Sequence, residues 1–315
     1  MNTGKIIHFY REEKGLTQSE LAEGICSQGE ISLIEQDKRV PSFELIVKIS
    51  AKLDIPIYYF LNDTFQSSTE TVLNTVFSQL ESFVNKRNYK SMGNFVLDNF
   101  IFNYCITSND KQQFLCFKGI YTTYYEKNPK KALSIYKQGL LETFTLLSTD
   151  PIIISKRKKV YSKTETFLLS ATATCYFLLG NHQYAKNLFE LACTNIELIQ
   201  KQSSVETFGT IYYNASKNLK ALKNYSKAID IAKKGVIFER ERNSIYRSSE
   251  LLFEIAESYY LLNNYIEAEK YYIKSICLAF STNNTHFLIL LIPALEEKEE
   301  FQTLKKIILC IKHSL

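Results

Sequence analysis

Residues 15–36, GLTQSELAEGICSQGEISLIEQ, decide how the N-terminal part of this chain folds. Thr17 stands three positions before Glu20, and Ser27 stands three before Glu30. In such a capping box the hydroxyl accepts from the third helical amide, and the carboxylate returns a bond to the cap amide. Two boxes in close succession predict two short, sharply started helices joined by a tight turn, which is a helix-turn-helix. Leu16, Leu21, Ile25, Ile31 and Ile34 recur at helical intervals and can share one small core. Gly24 falls at the turn, where a residue without Cβ takes a left-handed conformation. The second helix, Ser27 to Gln36, is then the one that enters the major groove of double-stranded DNA.

The segment resembles a helix-turn-helix of the lambda-repressor type. DKRVPSFELIVKISAKLDIPIYYFL, residues 37–61, continues the resemblance, which covers about residues 3–62. Pro41 and Ser42 start a fourth helix, and Ile46, Ile49, Leu53 and Ile57 extend the core. Arg11 and Glu35 stand where that family places a salt bridge between its first and third helices. Gln18 opens the second helix and should meet phosphate. Ser27, Gln28, Gly29 and Ser32 line the groove-facing start of the third, and the two-headed amide of Gln28 suits adenine. Lys38 and Arg39, just past this helix, are the best-placed cations for the DNA backbone. A generic amphipathic helix pair is the plainer reading, and the doubled capping box argues against it.

Net charge does not carry the DNA assignment. The chain of 315 residues has a formal charge of +5, yet residues 1–60 hold seven Lys/Arg against nine Asp/Glu, giving −2. Affinity must therefore come from where the few cations and helix N-termini sit. A hydrophobic content of 45% fits a globular protein long enough for more than one unit. No apolar run approaches the roughly 20 residues that span a bilayer, and the N-terminus lacks a signal pattern. A cytoplasmic protein without a membrane segment is expected. The 7 cysteines, Cys26, Cys105, Cys116, Cys175, Cys193, Cys277 and Cys310, are scattered and include no C-x-x-C pair. Buried reduced thiols are the default. The four histidines are equally dispersed. No metal site and no cofactor are expected. None of the common phosphate-binding, dinucleotide-binding, zinc-protease or serine-hydrolase motifs is present, so the chain does not read as an enzyme.

From about residue 70 the chain becomes helix-rich and aromatic-rich. NYKSMGNFVLDN (88–99), NPKKALSIYKQG (128–139), NHQYAKNLFELA (181–192), NYSKAIDIAKKG (224–235) and NYIEAEKYYIKS (264–275) are self-similar. In each, a turn carrying Asn leads to a small or flexible anchor: Met92, Ala132, Ala185, Ala228 and Ala268. Small anchors let the second helix of a pair approach the first. The array resembles the tetratricopeptide repeat, whose period is 34 residues. The anchors here lie 40, 53, 43 and 40 apart (132−92, 185−132, 228−185, 268−228), a divergent version. TDPIIISKRKKVYSK, 149–163, accounts for the long interval. Other two-helix arrays remain open. The expected architecture is all-α. It runs as a helix-turn-helix domain over 1–62, a linker over 63–71, about five repeats in a right-handed solenoid over 72–284, and capping helices over 285–315.

The first helix of each pair lines the concave face of such a solenoid. Aligned on the anchors, that face carries Lys118, Tyr121, Tyr124 and Tyr125, then Phe167, Ser170 and Thr174. Tyr213, Asn214 and Lys217 follow, then Glu250, Phe253, Glu254 and Glu257. Core packing is the plain reading for about half of the aromatics, and an interhelix bond for Asn214. A solvated face is the plain reading for the Glu trio. The functional reading has Tyr121, Tyr125, Phe167 and Phe253 in apolar contact with a short peptide and Asn214 holding its backbone. Lys118 and Lys217 would receive a carboxylate, and Glu250, Glu254 and Glu257 a cation.

The combination of head and array resembles the peptide-sensing transcriptional regulators of Gram-positive bacteria, the group of PlcR, NprR, Rgg and PrgX, with PlcR-like sequences nearest. The resemblance implies a homodimer that binds a two-fold symmetric operator. It also implies a short re-imported signalling peptide in the concave face, whose binding rearranges the DNA-binding heads. Asn214, in YYNASK, matches an asparagine such regulators use to hold the peptide backbone. Ser170 stands where a second asparagine is expected, and Gly29 is a departure within the recognition helix. A non-catalytic interaction scaffold and a peptide-independent repressor are the competing classes.

Overall fold

The computed structural model describes residues 3–55, 60, 69–97, 100–143, 160–199, 208–298 and 300–313. All regular elements among them are helices, and the chain divides into two compact units, 1–147 and 148–315. Ile57, most of the expected linker and most of the 149–163 insertion lie outside the described residues.

The first unit opens with α1 (Thr3–Glu13), α2 (Gln18–Ala22), α3 (Gln28–Glu35) and α4 (Phe43–Leu53). Thr17 forms the expected box with Glu20. Ser27 caps α3 by accepting from the Glu30 amide at 3.2 Å. The return bond from Glu30 does not form, because its carboxylate turns instead to Arg39, 3.2 Å away. The second capping box is thus half made. Gly24 sits at φ 73 in the turn, as a left-handed position requires. Ser42 caps α4 through the Leu45 amide.

Helices α5 (Thr69–Asn85), α6 (Tyr89–Val96), α7 (Phe100–Tyr104), α8 (Ser108–Tyr124) and α9 (Pro129–Leu141) follow in this unit. Head and repeats are not separate cores here. Leu21, Ile31, Ile34, Ile46 and Ile49 belong to one buried cluster with Val76, Leu80, Phe95 and Phe114. A polar bond crosses the same junction: Asp54, which ends α4 at φ 50, accepts from the Asn94 amide at 2.8 Å. Tyr121 lies in this core, with its ring against Gly93 on α6.

Among the described residues the second unit holds three helical hairpins and a terminal pair. These are α10 (Lys163–Leu178) with α11 (His182–Ile199), α12 (Gly209–Ala221) with α13 (Tyr225–Glu241), and α14 (Ser248–Leu261) with α15 (Tyr265–Ser281). The pair α16 (Thr285–Glu296) and α17 (Gln302–Lys312) packs on α15. The turn grammar recurs in both units. Arg87, Lys127, Gly180, Lys223 and Asn263 all adopt positive φ, between 51 and 80, and an Asn follows each. Asn88, Asn128, Asn181 and Asn264 then accept from the amide three residues on, at the N-termini of the second helices. The five anchors, Met92, Ala132, Ala185, Ala228 and Ala268, are all buried to within 1%. Small anchors beneath an Asn-started helix are what a tetratricopeptide-like hairpin needs for close approach.

Candidate functional site

The exposed start of α3 is organised from the interior of the head outward. The Arg11 Nε donates to Glu35 Oε1 at 2.6 Å, and Nη2 donates to Oε2 at 3.0 Å, with both side chains buried. Arg11 also donates to the Leu16 carbonyl at 2.7 Å, closing the end of α1 onto the turn before α2. Burial alone would raise the Glu35 carboxyl, but hydrogen bonds from Arg11, Gln18 and His8 hold it below the ordinary value. The Gln18 amide donates to Glu35 Oε2 at 2.9 Å, and the Gln28 amide donates to the Gln18 oxygen at 2.8 Å. The exposed Gln28 is thereby braced to a buried ion pair two residues deep in the head. His8 was not a candidate from the sequence; its ring meets Glu35 at 3.0 Å.

Ser27, Gln28 and Gly29 are exposed at the start of α3, and Ser32 is half-buried one turn on. A Cβ at Gly29 would meet nothing within 4 Å, so packing does not demand the glycine. Its effect is to leave the helix start narrow and its backbone accessible. Lys38 bonds the Gln36 side chain at 2.8 Å, and Arg39 pairs with Glu30; both cations are exposed. Exposed pairs of this kind contribute about 0–1 kcal/mol, so phosphates can displace them.

In the second unit the first helices α10, α12 and α14 are successive neighbours. Thr174 on α10 donates to the Ser170 carbonyl at 2.9 Å, and the Asn214 amide of α12 reaches Thr174 Oγ1 at a long 3.4 Å. Ser170 is buried, whereas Thr174, Tyr213, Asn214 and Lys217 are half-buried. The Lys217 ammonium lies 5.2 Å from the Tyr213 ring centroid and 5.9 Å from that of Phe177. The same burial pushes its pKa down. Phe167 stacks obliquely on Phe208, with centroids 4.9 Å apart.

The acidic trio on α14 differs from its expectation. Glu250 and Glu254 are buried, and Glu257 is half-buried; each has an internal cation. Arg247 meets Glu250 at 2.9 Å, Lys220 meets Glu254 at 2.8 Å and Lys298 meets Glu257 at 3.2 Å. Tyr272 also donates to Glu257. The trio is neither a solvated face nor an open cation site, because a carboxylate buried between helices needs a partner. Burial raises the Glu254 pKa even against the pull of Lys220. Phe253 packs inward against Tyr272 and Phe287. Lys118, Tyr121 and Tyr125 belong to the first unit. There Tyr121 is core, Tyr125 is exposed and stacked on it at 5.1 Å, and Lys118 lies 5.8 Å over Phe114.

Sequence reasoning missed Lys220, Arg247, Thr210, Phe177 and Lys298. Arg247 was legible as an i, i+3 partner of Glu250. Lys220 and Lys298 reach acids on another repeat or beyond, which no local pattern shows. Among the described residues no helix is long and apolar enough to cross a membrane, and no cluster of metal-ligating side chains occurs. Burial pushes the Cys105, Cys116 and Cys193 thiols up to about 12, so they are inert core residues.

Residues 7–60 match the helix-turn-helix family model. A search of curated proteins finds no match to the chain. The chain is similar in structure to Bacillus thuringiensis PlcR in complex with the peptide PapR7 and DNA. That likeness has TM-score 0.57 and 22% identity, and covers 92% of this chain and 98% of the other. Against PlcR from the same organism in its apo form the TM-score is 0.58 at 18% identity, with the same coverage. Residues 7–60 are therefore a helix-turn-helix domain, and the chain as a whole has the fold of PlcR.

Proposed function

We propose that this protein is a homodimeric, sequence-specific transcriptional regulator whose DNA binding is switched by a short peptide. The peptide lies on the inner face of the repeats, against α10 and α12. The DNA half of the reading rests on the helix-turn-helix and on the braced, exposed Gln28. The peptide half rests on one observation above all: a rung of half-buried polar groups, Thr174, Asn214 and Lys217, set beside the rings of Tyr213 and Phe177. Asn214 spends its amide on a long bond, and its carbonyl has no partner among the described residues. An amide so placed can donate to and accept from an extended peptide backbone. The shared fold adds support, since PlcR has been solved with both a peptide and DNA bound.

A single such head reads too few base pairs for useful specificity, so two copies should occupy half-sites an integral number of helical turns apart. The test combines sedimentation with a mobility-shift titration on DNA upstream of the chain's own coding region, with and without peptides recovered from the host. A dimer whose DNA affinity changes with a co-purifying peptide supports the reading. A monomer binding DNA one-to-one removes the symmetry. DNA binding indifferent to every host peptide favours a peptide-independent repressor, and no DNA binding favours an interaction scaffold.

A further inference from the structure

Four cations meet three acids where α12 and α14 face each other: Lys217, Lys220, Arg247 and Lys298 against Glu250, Glu254 and Glu257. Lys217 and Lys220 lie on α12 and the three acids on α14, with Arg247 at the N-cap of α14 and Lys298 just beyond α16. Arg247 is taken by Glu250, and its Nε donates to Thr210 Oγ1 at 3.1 Å. Lys220 is taken by Glu254 at 2.8 Å. The next acid along the face, Glu257, is taken by Lys298. Lys217 is left over. It feels Glu254 at longer range, but its near neighbours are the Tyr213 and Phe177 rings, and it forms no ion pair among the described residues.

A half-buried ammonium without a counter-ion is an unfavourable arrangement in a bare protein. Ring faces compensate it only in part. Its position gives the surplus a direction. Lys217 lies three residues after Asn214, one turn along the same helix, beside the rung that carries Thr174. Resting on the peptide reading above and deepening it, we infer that Lys217 is the receptor for a carboxylate of the bound peptide. The carboxylate belongs to an Asp or Glu side chain or to the peptide's own C-terminus. A carboxylate fits a single ammonium. A phosphate group would call on a guanidinium fork, and the fork of Arg247 is already engaged. Arg247, Lys220 and Lys298 are already held by the acids of α14, which leaves Lys217 alone of these four cations open, so the preference is for an acid at one place in the peptide.

The test is affinity selection with the full chain from synthetic peptides of about seven residues, long enough when extended to cross the three first helices. One library carries free C-termini and a second is amidated. Wild type should enrich Glu over Gln, or free over amidated termini, on the order of tenfold. Lys217→Arg should keep this preference. Lys217→Met should still capture peptide but without it. A preference surviving amidation assigns the carboxylate to a side chain; one abolished by amidation assigns it to the terminus. Capture by wild type with no acid preference overturns the inference and leaves the peptide reading standing. No capture by any of the proteins overturns both. Without peptide, Lys217→Met should melt no lower than wild type. A lower melting temperature would mean that the ammonium is a strut of the fold, and would also overturn the inference.

Discussion

Gln28 donates one side-chain N–H to the Gln18 oxygen at 2.8 Å, and Gln18 donates to the buried Glu35 at 2.9 Å. The brace leaves Gln28 its own oxygen and its second N–H, the acceptor and donor that adenine N6 and N7 require. Gln28→Ala should therefore relax base preference at one position per half-site, costing about 1–3 kcal/mol of discrimination. Gln18→Ala should blur the same position and no other, because it frees the Gln28 rotamer. Binding measured across single-base variants of the operator checks both. An unchanged preference at every position in Gln28→Ala means that α3 sits in the groove in another register.

Lys38 and Arg39 should act differently from Gln28. Each is exposed and held by one side chain, the exposed Gln36 for Lys38 and the half-buried Glu30 for Arg39. Their replacement by Ala should weaken all DNA sequences alike and lower the salt slope by about one unit each. The measurement is affinity against salt concentration. A slope unchanged by both substitutions would move the phosphate contacts elsewhere on the head.

The Arg11–Glu35 pair is buried on both sides, and without Glu35 the buried guanidinium keeps only the exposed Glu12 as a carboxylate partner, beside the Leu16 carbonyl. Glu35→Ala should cost about 3–5 kcal/mol, the usual penalty for breaking a buried pair. The pH dependence has a definite sign. Because the folded Glu35 pKa is depressed, its stabilisation is fully present above the unfolded carboxylate value of about 4.3. It is lost as pH falls from there through the folded value. Chemical denaturation should show wild type losing its margin over Glu35→Ala below about pH 4. Parallel curves for the two proteins would remove Glu35 from the acid response.

The repeat turns offer a test of the fold itself. Gly180 occupies at φ 80 the position that Lys223 occupies at φ 58 in the next repeat. A side chain in the left-handed region costs about 1–2 kcal/mol, and glycine carries an entropic cost of about 0.5–1. Gly180→Ala should thus lower stability by about 1 kcal/mol, and Lys223→Gly should raise it by a few tenths to 1. Denaturant midpoints at constant slope decide it. Destabilisation by both substitutions would show that the Lys223 side chain contributes more to the fold than its backbone costs.

These turns also mark how far the sequence was legible. Five Asn-bearing turns with their buried anchors gave the hairpins and their spacing, because a close helix approach leaves its mark within a dozen residues. Thr17 with Glu20, and Arg11 with Glu35, were legible for the same kind of reason: capping geometry is local, and the ion pair belongs to a motif. The Glu250, Glu254 and Glu257 face was misjudged as open because its periodicity is right for one. The cations that close it, Lys220 from α12 and Lys298 from the loop after α16, are distant in sequence. Glu30, expected to complete a cap, pairs with Arg39, since a half-buried carboxylate at a helix start has two favourable partners of similar strength. The continuous core between head and first repeats had no local signature at all; it depends on how α4 and α5 meet.

Asn214 separates the switch from the scaffold. Its one internal bond, to Thr174 Oγ1, is 3.4 Å long, and its carbonyl has no protein partner among the described residues. Asn214→Ala should therefore leave the melting temperature and the peptide-free DNA affinity nearly unchanged. In the complex the same truncation leaves buried peptide amides unpaired, which costs about 1–3 kcal/mol of peptide affinity. The loss must appear in DNA binding as well if the two sites are coupled. A tenfold change in DNA affinity on peptide binding corresponds to about 1.4 kcal/mol of coupling, and DNA must tighten peptide binding by the same factor. Calorimetric titration of wild type and Asn214→Ala with the peptide recovered from the host, with and without operator DNA, measures all four arms of that cycle. Equal peptide affinities for the two proteins would remove Asn214 from the site. A weakened peptide with an unchanged coupling factor would keep it there as an anchor and place the two-state element elsewhere in the repeats.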